Sequence, residues 1–228
     1  MVQNASDRSA DPVSREMLDV CRKAGLETAW DRFEKQQPQC GFGELGLCCR
    51  NCNMGPCRID PFGEGAVRGV CGATADIIVA RNLLRMIAAG AAAHSDHGRG
   101  VAHTFRLMSE GKAPSYKVKD SAKLERLMKE YGVDSQIALA DAVLSEFGKQ
   151  DGPIQFTRRA PAKRVELWKK LGIDPRGIDR EIVEIMHRTH IGVDNDYVHL
   201  ILQGLRASLA DGWGGSMIAT ELQDVMFG

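Results

Sequence analysis

Apolar residues recur at helical spacing along most of this 228-residue chain, and the pattern predicts an all-α protein. Apolar positions three and four residues apart share one face of each segment, whereas no segment shows the apolar–polar alternation of a half-buried strand. Glycine or proline stands near most of the predicted helix ends. The predicted helices cover residues 12–36, 72–108, 117–131, 135–148, 161–172, 178–189, 197–210 and 216–227.

Glycines add three local expectations to this pattern. Gly98 and Gly100 predict a perturbation inside the longest helix. Gly90 lies among alanines, which predicts that another backbone or a partner helix approaches closely there. Gly212 is predicted to end the helix over residues 197–210.

Residues 40–71 lack helical periodicity and hold six of the seven cysteines. Glycine or proline stands beside most of these cysteines, as is typical of a chain that wraps around metal. We therefore expect a multi-helix domain over residues 12–228 with a cysteine-rich iron–sulfur loop region at residues 40–71. Residues 1–11 are polar and are expected to form a flexible tail.

Composition and charge narrow the functional classes. The 30 basic residues balance the 30 acidic ones, so bulk electrostatics favour neither nucleic acid nor an anionic membrane surface. No apolar run approaches the roughly 20 residues of a membrane span, and the N-terminus has no apolar signal core. We expect a soluble cytoplasmic protein, in which clustered cysteines are more often metal ligands than disulfides.

Four of the cysteines could bind one cluster within the chain. Cys49, Cys52, Cys57 and Cys71 supply the four thiolates that a 4Fe–4S cubane takes. Cys71 precedes the longest helix, whose dipole stabilises negative charge on sulfur. A structural zinc site is the alternative, because zinc also takes four thiolates. Zinc modules usually contain two Cys-x2-Cys pairs and this chain has one, so the spacing favours iron–sulfur over zinc.

Cys40 and Cys48 remain, and two thiolates cannot complete a four-ligand cluster. A two-fold homodimer would supply the other two ligands. An intrachain disulfide and two unused thiols are the alternatives. Cys21 lies on the first predicted helix and is expected to be a small buried hydrophobe.

Three histidines lie on the longest predicted helix. His94 and His97 are one turn apart and can share a face, whereas His103 would point away in a straight helix unless the helix tightens locally. Histidine is suited to proton transfer near neutral pH. Histidines without a chemical role are the alternative, and we assign none to the other three, His187, His190 and His199.

Four segments carry a resemblance to a known family. They are Cys-Gly-Phe-Gly-Glu-Leu-Gly-Leu-Cys-Cys-Arg-Asn-Cys-Asn-Met-Gly-Pro-Cys-Arg-Ile from residue 40, Gly-Val-Cys-Gly-Ala from residue 69, Ala-His-Ser-Asp-His-Gly-Arg from residue 93, and Ala-Asp-Gly-Trp-Gly-Gly-Ser-Met-Ile-Ala-Thr-Glu-Leu-Gln-Asp from residue 210. These segments resemble the catalytic subunit of the anaerobic nickel-containing carbon monoxide dehydrogenases. The similarity extends along nearly the whole chain except the tail.

The resemblance implies a homodimer that reversibly oxidises CO with water to CO2, two protons and two electrons, with a ferredoxin-type protein as electron acceptor. It implies that Cys40 and Cys48 bind a 4Fe–4S cluster shared across the dimer. The other four ligands, Cys49, Cys52, Cys57 and Cys71, would bind a second 4Fe–4S cluster that connects the shared one to the active site. His94, His97 and His103 would assist proton transfer, with His94 closest to the metal.

The chain departs from the family in two respects. The family often has a further histidine where this chain has Gly100, so a relay of four histidines is absent. Family members are far longer, and the ligands of their nickel–iron–sulfur cluster lie beyond residue 228. We therefore expect the N-terminal helical domain of such an enzyme, as a fragment or a truncated form, able to carry electrons but unable to oxidise CO alone.

Two other functions stay open. The hybrid-cluster hydroxylamine reductases share a helical architecture that begins with cysteines, although the double-cysteine block at Cys48 and Cys49 fits them less well. A stand-alone iron–sulfur carrier or a zinc-stabilised partner-binding module is the non-enzymatic alternative.

Overall fold

The computed structural model describes residues 5–228 and confirms an all-α fold. Its α-helices are α1 (Ala5–Arg8), α2 (Pro12–Lys23), α3 (Ala29–Lys35), α4 (Gly41–Glu44), α5 (Ala75–Ser109), α6 (Ser121–Tyr131), α7 (Gln136–Gly148), α8 (Ala162–Leu171), α9 (Ile178–Arg188), α10 (Tyr197–Ala210) and α11 (Met217–Phe227). Two short strands, β1 (Cys48–Cys49) and β2 (Cys57–Arg58), pair in a hairpin. The described chain divides into one compact unit that ends at Leu45 and a second unit, Gly46–Gly228.

The first unit contains two helices where the sequence predicts one over residues 12–36. The chain turns at Gly25, whose φ of +68° lies in the left-handed region that glycine adopts most readily. A capping box then starts α3, because Thr28 and Asp31 each bond to the other's backbone N–H. Cys21, on α2, is half-buried rather than buried.

The prediction of a flexible tail over residues 1–11 lies partly outside the described residues, which begin at Ala5. From there the chain forms α1. Arg8 at the end of α1 is paired with two carboxylates of α3, Glu34 and, at 3.6 Å, Asp31.

Helix α5 is the centre of the second unit. It contacts α7, α9, α10 and α11, and buries Ile78, Leu84 and Phe105 completely. The helix is continuous from Ala75 to Ser109, so the predicted perturbation at its glycines was wrong. Helix α5 shares one hydrophobic core with α6, α7 and α11, and this core holds the helices of the unit together.

By length and composition α5 could cross a membrane, in contrast to the expectation that no apolar run approaches that size. Its packing is that of a core helix, because four other helices cover it and Arg81 lies on its buried side with 1% of its surface exposed. No other helix in residues 5–228 is both long enough and apolar enough to cross a membrane.

The chain stays helical past Gly212, contrary to the prediction that a helix ends there. It passes from α10 through a π-helical segment, Asp211–Ser216, directly into α11. This segment packs on the backbone of α5, since a Cβ at Gly215 would lie 3.0 Å from the carbonyl carbon and oxygen of His94. A side chain there would require the two backbones to move apart, so glycine is favoured.

Within residues 5–228 a close backbone contact lies at Gly98 and not at Gly90, and the approach of a partner helix at Gly90 stays a prediction. A Cβ at Gly98 would lie 2.6 Å from the carbonyl oxygen of Gly215, whereas one at Gly90 or Gly100 would meet no described atom within 4 Å. Gly98 therefore sets how closely α5 and the π-helical segment approach.

We expect Gly98→Ala to lower the free energy of unfolding by about 1–3 kcal/mol, because the added methyl forces two backbones apart. Gly100→Ala is the matched control on the same helix and should be neutral or stabilising by up to about 1 kcal/mol, since alanine is the better helix former. Urea denaturation of the three proteins measures both changes. Equal effects of the two substitutions would contradict the close contact.

Candidate metal centre

A hairpin brings three of the predicted ligands together. Strand β1 pairs antiparallel with β2, and Cys49 lies opposite Cys57. Cys52 lies in the turn between them, which closes tightly because a Cβ at Gly55 would lie 3.1 Å from both the Cys49 carbonyl oxygen and the Cys57 nitrogen. The strands are two residues each, too short to produce an alternating pattern, so the sequence did not indicate the hairpin.

The segment before Cys71 packs on this hairpin. The backbone N–H of Val70 donates to the Cys57 sulfur at 3.5 Å. A Cβ at Gly69 would lie 3.4 Å from the Cβ of Cys57, so the loop carrying Cys71 closes directly over Cys57. The fourth predicted ligand thus enters the same region as the other three.

Cys71 is held by residues far away in sequence. Its sulfur accepts a hydrogen bond from Nη1 of Arg81 at 3.4 Å. Gly192 packs against it, since a Cβ there would lie 3.1 Å from the Cβ of Cys71. Burial alone would raise the pKa of the Cys71 thiol, but the hydrogen bonds from Arg81 and from the backbone of Ala73 bring that pKa below its ordinary value.

Helix α5 also fixes the first strand of the hairpin. The side-chain amide of Asn82 donates to the carbonyl oxygens of Gly46 and Cys48, each at 3.0 Å. Because Arg81 and Asn82 are consecutive, one turn of α5 contacts both β1 and the Cys71 loop. The orientation of the cysteine segments therefore depends on this turn.

Cys40 and Cys48, the two predicted ligands of a shared cluster, belong to different units. Cys40 is exposed and lies at the N-terminus of α4, whereas Cys48 is half-buried on β1. Each is a free thiol. Their role as ligands shared between two chains stays a prediction.

The three histidines of α5 are exposed. His94 Nδ1 lies 2.8 Å from Oδ1 of Asp211 in the π-helical segment, and His97 Nε2 lies 3.5 Å from Nε2 of Gln223 on α11. Because α5 is regular throughout, His103 lies about half a turn around the helix from His94, and the three do not form a common line. Their role in proton transfer stays a prediction.

Comparison with known proteins identifies the family. Residues 47–228 match the sequence pattern of the Prismane/CO dehydrogenase family. The chain belongs to this family. It is 67% identical to carbon monoxide dehydrogenase 1 of Methanosarcina mazei over 236 aligned residues, which cover 100% of this chain and 38% of that protein. The chain thus spans well under half the length of this relative.

Two solved structures of carbon monoxide dehydrogenases resemble the fold. One is the as-isolated, nickel-free enzyme of Thermococcus sp. AM4, with a TM-score of 0.91 and 53% identity over 100% of this chain and 38% of that one. The other is an acetyl-CoA synthase/carbon monoxide dehydrogenase described with NiZn[Fe4S4] and NiNi[Fe4S4] clusters, with a TM-score of 0.86 and 41% identity over 97% and 34%. These relatives favour the carbon monoxide dehydrogenase prediction over the hydroxylamine reductase alternative.

The donor set at the hairpin fits an iron–sulfur cluster of this family. Within residues 5–228 no three His, Cys, Asp or Glu side chains converge closely enough to bind a single metal ion. A cubane binds one thiolate per iron, so its ligands surround a cluster instead of meeting at a point. N–H groups directed at the sulfurs of Cys57 and Cys71 are the donors that stabilise such an anionic centre.

The residues that support the cysteines and His94 were not predicted from the sequence. Arg81, Asn82 and Gly192 contact cysteine residues, and Asp211 contacts His94. None belongs to a local spacing motif with its partner, and Gly192 lies on a loop between α9 and α10. Each reaches its partner through tertiary packing: α5 packs on the hairpin and on that loop, and the π-helical segment packs on α5.

We expect Asn82→Ala to loosen the hairpin, because two backbone carbonyls lose their hydrogen-bond donor. The cost is about 1–3 kcal/mol for the two bonds, at roughly 0.5–1.5 kcal/mol per bond. Hydrogen exchange should rise at residues 46–59. Asp96→Ala, at an exposed position on the same helix, is the control and should leave exchange there unchanged. Unaltered exchange in Asn82→Ala would contradict the anchoring role.

Proposed function

We propose that this chain is the electron-transfer and dimerisation domain of a carbon monoxide dehydrogenase, an enzyme that oxidises CO with water to CO2, two protons and two electrons. The observation that carries the proposal is the convergence of the hairpin and the Cys71 loop, with N–H donors directed at two of the four sulfurs. The family and its named relatives support the reaction assigned to the longer protein.

In this proposal Cys49, Cys52, Cys57 and Cys71 hold a 4Fe–4S cluster, which supplies one-electron chemistry when bound. The chain's own residues prepare the thiolates. Val70 and Arg81 donate to sulfur, which stabilises negative charge there, and the hairpin fixes the first three ligands in one place. The site is thus suited to receive and pass electrons, which a ferredoxin-type acceptor would collect.

Cys40 and Cys48 would each contribute a thiolate to a second cluster on a two-fold axis, with the same pair from a second copy completing the ligands. Exposure of Cys40 supports this arrangement, because a ligand shared between chains must reach the surface of its own chain. The homodimer and the shared cluster therefore depend on the same two residues.

His94 would accept or release a proton at the active site of the longer enzyme. Its Nδ1 is directed at Asp211, so in the neutral ring the proton on Nδ1 leaves Nε2 free to accept one. His97 and His103 would act further along the proton path.

The first test is the metal content of anaerobically prepared chain. We expect about six iron atoms per chain, four from the internal cluster and half of a shared four. Cys52→Ala should remove about four and Cys48→Ala about two, and Cys48→Ala should also weaken dimerisation. Cys21→Ala, at a cysteine outside the loop region, is the matched control and should retain all the iron.

Each alternative gives a different result in this test. Iron near four per chain in the unsubstituted protein, with no loss in Cys48→Ala, would reject the shared cluster. Zinc without iron would reject the electron-transfer function altogether.

The second test concerns His94 in an enzyme of the relatives' full length. We expect His94→Ala to lower kcat for CO oxidation by about a hundredfold or more, the usual effect of removing a proton-transfer group, with unchanged iron and nickel content. His187→Ala, an exposed histidine without an assigned role, is the control and should keep full activity. Unchanged kcat in His94→Ala would remove it from the proton path.

A further inference from the structure

Arg81 is the most unusual charged side chain of the second unit. Only 1% of its surface is exposed, and it is among the largest fully buried side chains of the described chain. Arginine is almost never buried to this extent unless an opposite charge accompanies it. Its position in the second turn of α5 places it beside the Cys71 loop.

Three hydrogen bonds hold the guanidinium of Arg81. Nη2 donates to the backbone oxygen of Asp194 at 2.7 Å and to Oδ1 of Asn195 at 2.8 Å. Nη1 donates to the sulfur of Cys71 at 3.4 Å, and Nε is buried without a partner. Across residues 5–228 it forms no ion pair with a carboxylate, and the carboxylate of Asp194 pairs with Arg188 instead.

Another buried charge in the same unit is compensated. The carboxylate of Glu181 is fully buried and pairs with Arg176 at 2.8 Å. The guanidinium of Arg81 has no such counterpart among carboxylates. Of its hydrogen-bond partners, only the Cys71 sulfur can carry negative charge.

An uncompensated buried ion is destabilising, and an opposite charge nearby offsets that cost. A cluster bound through Cys71 supplies such a charge, because iron–sulfur clusters with four thiolates are anionic. The guanidinium of Arg81 is thus placed to stabilise an anionic group bound at Cys71.

We propose that Arg81 is a positioning residue for the electron-transfer site. Its buried charge raises the reduction potential of the cluster bound through Cys71, and its guanidinium holds the Asp194–Asn195 loop near that ligand by hydrogen bonds. The proposal rests on the proposed function, namely on a 4Fe–4S cluster at Cys71. One-electron reduction adds a negative charge, with the electron taken from an external reductant and no covalent bond formed or broken. A nearby buried cation favours the state with the added electron.

Arg85 provides a matched control. It lies one turn further along α5, and its Nε donates to Oγ1 of Thr189 at 2.9 Å. Both arginines therefore fasten the segment after α9 to α5, but only Arg81 contacts a cysteine. A purely structural role predicts similar effects of substituting either, whereas a role in redox tuning predicts an effect of Arg81 alone.

The experiment is a redox titration of anaerobically prepared chain with dithionite as reductant, followed by electron paramagnetic resonance of the signal that Cys52→Ala lacks. We expect Arg81→Gln to make reduction of this cluster about tenfold less favourable, which for one electron is about 59 mV toward more negative potential. Arg81→Lys, which keeps the charge, should restore most of the potential. Arg85→Gln should leave it unchanged.

The outcomes separate the two proposals. Absence of iron and of the signal from the unsubstituted chain rejects the proposed function itself. An unshifted midpoint in Arg81→Gln, or an equal shift in Arg85→Gln, overturns the tuning role while leaving the cluster in place. Arg81→Gln could also fail to bind iron. Retention of iron by Arg81→Lys would then support a role for the positive charge. Loss of iron in both Arg81 variants but not in Arg85→Gln would show that only the shape of the arginine side chain matters, and would overturn the proposal.

Discussion

The contact between the first turns of α5 and the cysteine segments is the constraint on which the proposed site depends. Arg81 and Asn82 are consecutive, and between them they hold the Cys71 sulfur, strand β1 and the loop after α9. A loop rich in glycine has little structure of its own, since it buries few apolar side chains. Here its geometry comes from the rigid helix that it lies against.

The same helix brings the proposed proton-transfer residues into one rigid frame with the proposed cluster. His94 lies further along α5, where the π-helical segment packs against the helix backbone at Gly98 and Gly215. That close contact places Asp211 within hydrogen-bond distance of His94. The proposed electron-transfer and proton-transfer residues thus lie on or against a single element, helix α5.

The sequence predicted the fold class and most of the helices because their apolar periodicity is strong. It predicted the cysteine region because ligand density is a local property. It missed the hairpin, the break at Gly25 and the π-helical segment, since each depends on a few residues or on tertiary packing. Arg81 was not predicted either, because its proposed role depends on its burial and on its contact with Cys71, ten residues away.

Iron-edge X-ray absorption of the anaerobically prepared, unsubstituted chain tests the central claim most directly. A cluster held by Cys49, Cys52, Cys57 and Cys71 predicts iron surrounded by sulfur, with a second shell of iron neighbours, and an iron edge that falls to about a third of its height in Cys52→Ala. Iron–sulfur scattering without iron neighbours, or a zinc absorption edge with no iron edge, would show a mononuclear site and contradict the account.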